Sequence, residues 1–179
     1  MKFQDEPAFE GGKGKELTVS DVIYSWKRIA DPKNKALGWF LLDGLIVGLN
    51  QWRDDMRSGK ATYDTDVEGL KALDPRTLQI KLTRQSFQFI HVLATTVTTI
   101  VAKEVVEKYG ADIVNHPVGT GPFIMKKWTR GSEIVLVKNP TYRPVEFNGE
   151  KLPLADKVIV RVIPERQPLW LALLRGELD

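Results

Sequence analysis

The apolar residues of this chain keep two different spacings, and a rigid break separates them. Before residue 116 the stronger signals are helical, with apolar side chains three and four residues apart; after residue 122 apolar and polar residues alternate. Between them lies His116-Pro117-Val118-Gly119-Thr120-Gly121-Pro122, where prolines fix φ and glycines permit backbone geometry that other residues resist. Neither an all-helical bundle nor an all-strand sandwich satisfies both periods. The expected class is therefore α+β, or mixed α/β.

The clearest helix is predicted over residues 18–31. Thr18 is placed to cap it and Asp21 sits at the third helical position, where a carboxylate faces the positive helix end. Val22, Ile23, Trp26, Ile29 and Ala30 then recur at helical spacing until Asp31-Pro32 stops the run, and Trp26 is expected in the core. Residues 1–16 read as a loop, because Gly11-Gly12-Lys13-Gly14-Lys15 lacks the spacing of a phosphate-binding loop. Residues 34–66 give a mixed signal. Gly38-Trp39-Phe40-Leu41-Leu42 is too apolar for a freely solvated loop, whereas residues 51–63, with Ser58-Gly59-Lys60, read as a polar excursion.

A hairpin is expected next: residues 67–73, a turn at Asp74-Pro75-Arg76-Thr77, then Leu78, Ile80 and Leu82 alternating with polar neighbours. Residues 89–94 suggest a short helix, 95–101 are ambiguous, and 102–109 are helical up to Gly110. Beyond the break, residues 123–128 and 133–138 form a second hairpin around Arg130-Gly131-Ser132. A strand over 158–163 ends at Pro164, and a last helix carries Pro168 near its first turn and ends at Gly176.

Several chemistries are disfavoured. With no cysteine there is no disulfide, thiolate metal site or cysteine nucleophile. The 26 basic residues nearly balance 23 acidic ones, which gives no footprint for nucleic acid. Only two histidines occur, His91 and His116, and neither sits in a motif that carries mechanism, so both are expected to be structural. Asp54-Asp55 lacks calcium-loop spacing, and Lys126-Lys127-Trp128-Thr129-Arg130 reads as solvated strand and turn. No catalytic residue, metal or cofactor is expected. The longest apolar runs, such as residues 169–174, are too short to span a bilayer, and the polar opening residues do not form an export signal. The protein is thus either cytoplasmic or exported by a signal outside this sequence.

Five stretches, in order, resemble bacterial family 5 solute-binding proteins, the oligopeptide and dipeptide receptors of ABC transporters. Thr18-Val19-Ser20-Asp21-Val22-Ile23-Tyr24-Ser25-Trp26-Lys27-Arg28-Ile29-Ala30-Asp31-Pro32 is similar to the family's T-A-x-D-V-x-Y-S-x-x-R-x-x-D-P helix, with Val19 replacing alanine. Val67-Glu68-Gly69-Leu70-Lys71-Ala72-Leu73-Asp74 resembles V-x-G-V-K-A-L-D. The most specific is His116-Pro117-Val118-Gly119-Thr120-Gly121-Pro122-Phe123, against N-P-V-G-T-G-P-Y. Lys138-Asn139-Pro140-Thr141-Tyr142 resembles R-N-P-x-Y, and Gly176-Glu177-Leu178-Asp179 resembles G-E-I-D.

The resemblance implies part of a type II periplasmic-binding-protein fold, present as a fragment: residues 1–116 as the small subdomain and 117–179 as part of lobe I. It implies a monomeric receptor, periplasmic or extracellular, attached to the membrane only through a lipid anchor. Its partners would be an oligopeptide or other small solute and the permease subunits. Trp39 and Phe40 correspond loosely to a region that contributes an aromatic ligand contact in the family, with packing beneath the loop as the competing reading. A sensory or regulatory role in a larger protein, or nickel, haem or oligosaccharide as cargo, uses the same scaffold.

Overall fold

The computed structural model describes residues 1–179. Helix α1 (Val19–Ala30) forms where its sequence predicts. The Thr18 backbone N–H and hydroxyl both donate to Asp21 Oδ2, at 2.9 and 3.0 Å, so the carboxylate closes the first turn. Asp21 is buried, yet its charge is matched: Lys15 Nζ lies 2.8 Å from Asp21 Oδ1 and 2.8 Å from Glu104 Oε1. Burial works against the Lys15 ammonium, but its bonds to both carboxylates outweigh that cost and raise its pKa.

Trp26, Ile29 and Ala30 of α1 enter a core with Leu42, Ile46, Leu49, Trp52 and Met56, so Trp26 packs as expected. The supposed polar excursion is instead a helix, α2 (Leu49–Ser58). It shows the core only Leu49, Trp52 and Met56, spaced three and four apart among polar neighbours. That stripe is thin, but tryptophan and methionine supply enough apolar area to dock it. Glycines in the left-handed region bound it, Gly48 at φ 78° and Gly59 at φ 74°.

Strands β1 (Leu70–Asp74) and β2 (Thr77–Ile80) form the expected antiparallel hairpin, and Leu70, Leu78 and Ile80 pack on the same core. Helix α3 (Phe89–Leu93), a 3₁₀ turn at Thr96–Thr98 and helix α4 (Lys103–Tyr109) follow. Residues 1–16 carry no regular element beyond a 3₁₀ turn, but they are firmly packed. Phe3 and Phe9 join Ala102 and Val105 of the α4 region in a second, smaller core.

Strands β3 (Phe123–Thr129) and β4 (Glu133–Lys138) form the second hairpin; a tiny β5–β6 ribbon (Glu146–Phe147, Glu150–Lys151) precedes β7 (Lys157–Arg161) and helix α5 (Arg166–Leu174). The sheet order is β3-β4-β7, antiparallel throughout. A bulge between Met125 and Lys127 resets the alternation of β3. Register then puts Phe123, Met125 and Trp128 on one face with Ile134 and Leu136 of β4 and Val158 and Val160 of β7. The other face carries Lys127, Glu133, Lys157 and Arg161 among its apolar residues. No residue of these three strands is buried, and α5 buries only Ala172.

Candidate ligand-contact site

Trp39 and Phe40 lie on a 3₁₀ turn, Leu37–Leu41, that crosses the main core. Gly38 lets this turn touch the Thr96–Thr98 segment: a Cβ at that position would meet Val97 Cγ1 at 1.9 Å. In a 3₁₀ helix successive side chains point about 120° apart, so neighbours cannot share an environment. Trp39 accordingly packs against the core, while Phe40 is 72% exposed and Leu37 is 93% exposed.

The structure therefore separates the two residues that the sequence paired. Trp39 partly fits the packing reading, and Phe40 projects outward. The Arg53 guanidinium carbon stands 4.7 Å from the Trp39 ring centroid, and its Nη1 donates to Ala30 O. The cation thus holds the indole ring. Sequence reading missed Arg53 because it missed α2; nothing local in residues 51–63 signals a partner for Trp39.

Helix α1 also carries a buried lysine. Lys27 donates to the carbonyls of Tyr63 at 2.9 Å and Thr65 at 2.8 Å, with its Nζ 5.6 Å from the Trp52 ring centroid. Burial pulls its pKa below the ordinary lysine value, and Asp66 and Asp64 restore only part of the loss. Tyr63 donates to Asp31 Oδ2 at 2.9 Å; burial and that bond raise the phenol's pKa. These contacts tie residues 63–65 to α1 and Asp31 and supply no nucleophile with an orienting base.

The Gly/Pro break joins the two halves of the chain. Gln4 reaches it twice, its N–H to Gly119 O at 2.9 Å and its Nε2 to Pro117 O at 3.4 Å. Asn139 is buried; its Nδ2 donates to Gly121 O at 2.8 Å, and its Oδ1 accepts from Thr141 N and Oγ1. The Asn139 motif is thereby tied to the break. The reason expected for the glycines is not upheld: neither Gly119 nor Gly121 takes the left-handed backbone, and neither is crowded. His116 stacks on Tyr109 at 3.7 Å and meets Asp112 Oδ2 at 3.2 Å, while His91 is exposed on α3. Neither approaches Trp39 in any contact of the site.

The family model for bacterial extracellular solute-binding proteins, family 5 Middle, matches residues 12–179. The chain belongs to this family. It is 33% identical over 152 residues to the periplasmic oligopeptide-binding protein OppA of Escherichia coli, covering 81% of this chain and 27% of that protein. It is 29% identical over 189 residues to the probable D,D-dipeptide-binding periplasmic protein DdpA of the same species, covering 95% of this chain and 35% of the relative. Among solved structures, the periplasmic oligopeptide-binding protein OppAIV of Borrelia burgdorferi superposes with a TM-score of 0.78 at 27% identity, over 93% of this chain and 31% of that one. The chain spans about a third of the length of its family 5 relatives, and its mixed helix-and-strand architecture is that of the periplasmic oligopeptide-binding proteins. No helix is long and apolar enough to cross a membrane.

Proposed function

We propose that this chain is part of the substrate-binding component of an ABC importer, which captures peptides or peptide-like solutes outside the cytoplasmic membrane and passes them to permease subunits. The observation that carries this reading is the family match across residues 12–179, joined to two relatives whose names specify peptide binding. Residues 1–116 act as the small subdomain and 117–179 as part of the lobe that closes on the solute. The receptor works as a monomer in the periplasm or extracellular space, held by a lipid anchor where it is membrane-attached, and catalyses no reaction. A ligand that touches both lobes stabilises the closed state by differential affinity, and the closed state is what a permease distinguishes.

Phe40, with Trp39 behind it, supplies apolar contact to a ligand side chain, while an extended peptide is held through its backbone. Alone, the chain makes only part of those contacts and binds trialanine weakly or not at all by calorimetry. Grafted into Escherichia coli OppA in place of the matched stretch, residues 12–179 should support trialanine binding, and Phe40→Ala should weaken it about tenfold, or about 1.4 kcal/mol. A folded chimera that binds no peptide, or tight binding by the isolated chain, overturns the reading.

A further inference from the structure

The four most exposed large apolar side chains of the chain fall into two pairs. Leu37 and Phe40 stand on the Leu37–Leu41 turn, and Phe87 and Ile90, 83% and 74% exposed, stand where α3 begins. Each pair is spaced three residues apart. On a 3₁₀ turn that spacing sets one side chain above the other, and on a helical turn it keeps both on one side. Phe89, Val92 and Leu93 of α3 pack against the main core, so Phe87 and Ile90 form the outward side of the same segment.

The fold links the two pairs. Gly38 lies against Val97, and the Thr98 hydroxyl is 3.1 Å from the carbonyl oxygens of both Val92 and Leu93, which folds the Thr96–Thr98 turn back onto α3. The Leu37–Leu41 turn thus rests on the segment that closes α3. Both stretches are also free of fixed charge. No Lys, Arg, Asp or Glu occurs over residues 36–42 or 85–102, and His91 is the one ionisable side chain in either. Apolar residues scattered singly over a surface are ordinary, whereas aligned pairs on touching, uncharged segments mark a place where something apolar binds.

We infer that Leu37, Phe87 and Ile90 extend the Phe40 contact into one subsite, which selects peptides carrying a bulky apolar side chain over peptides carrying a charged one. The inference rests on the peptide-receptor reading and deepens it by naming the class of ligand side chain. A charge seated there would give up water without finding a partner. An aromatic or branched aliphatic side chain would instead remove apolar surface from water on both sides of the contact.

The test uses the Escherichia coli OppA chimera carrying residues 12–179, with intact OppA as the reference. Phe and Asp are placed in turn at each position of trialanine, and binding is measured by calorimetry. At one position the chimera should favour Phe over Asp at least about tenfold more strongly than intact OppA does. Phe87→Ser and, separately, Ile90→Ser should each lower that preference several-fold. Both side chains are exposed, so neither substitution removes a core contact, and an unchanged thermal midpoint shows that the variants remain folded. Leu73→Ser, exposed on β1, should leave the preference intact. Trialanine binding with no added preference at any position, or a preference indifferent to both substitutions, overturns the inference and leaves the transport role standing. A folded chimera that binds no peptide overturns both. Self-association of the 179-residue chain that the same two substitutions abolish would assign the patch to a second copy, and overturns the inference as well.

Discussion

At the scale of single residues, the buried Lys27 is the most informative position. It has no carboxylate within ion-pair distance and holds its charge by donating to two loop carbonyls. Lys27→Met keeps the length and packing of the side chain but leaves both acceptors without their donor. We expect a loss of about 1–3 kcal/mol in urea unfolding at neutral pH. The pH dependence has a definite sign. Because the folded-state pKa lies below the ordinary value of 10.5, the unfolded chain binds the extra proton between those two values. Stability of the wild type therefore rises through that window relative to the variant, and its advantage should widen as pH approaches 10.5. A gap that narrows would show that Lys27 is not held at a cost. Lys15, whose pKa is shifted the other way, is present in both proteins and cancels.

At the scale of elements, the Leu37–Leu41 turn depends on one close approach. Gly38→Ala would drive a methyl group into Val97 and should destabilise the chain by about 1–3 kcal/mol, the usual range for an overpacked site. Val97→Ala should relieve much of that cost, so the double variant falls short of the sum of the singles in thermal unfolding. Additive losses would mean that the turn does not lean on Val97. The same turn shows what the sequence revealed and what it hid. That the stretch from Gly38 to Leu42 is not a freely solvated loop was legible from composition; that Phe40 nevertheless faces outward was not, because the core that decides it is assembled from distant segments. Helix α2 was hidden for a related reason: Leu49, Trp52 and Met56 are too sparse a stripe to stand out among so many polar neighbours. Helix α1 and both hairpins were legible because capping, periodicity and turn chemistry are local signals.

At the scale of the whole molecule, stability is unevenly shared. Both hydrophobic cores lie within residues 3–105, apart from partly buried neighbours, and the sheet after the break contributes no buried residue. Backbone amides of β3, β4 and β7 should therefore exchange orders of magnitude faster than those of α1 and α2 in the isolated chain, since local opening there exposes little further apolar area. Uniform protection would contradict this division. The strands themselves could be read from sequence; their shallow burial could not, because alternation states that one face is apolar and not what meets it.

The grip of Gln4 on Pro117 joins residues 113 positions apart. Closing so long a loop costs chain entropy, whereas the β3–β4 hairpin closes across a short turn. By contact range alone, the sheet can zip up early while its direction of departure is still unset, and the joint is fastened only after the first helices have gathered the N-terminal residues beneath it. The orientation of the last third of the chain is thus written near its first residues, and a ribosome would release the sheet's sequence only after its anchor had already been made.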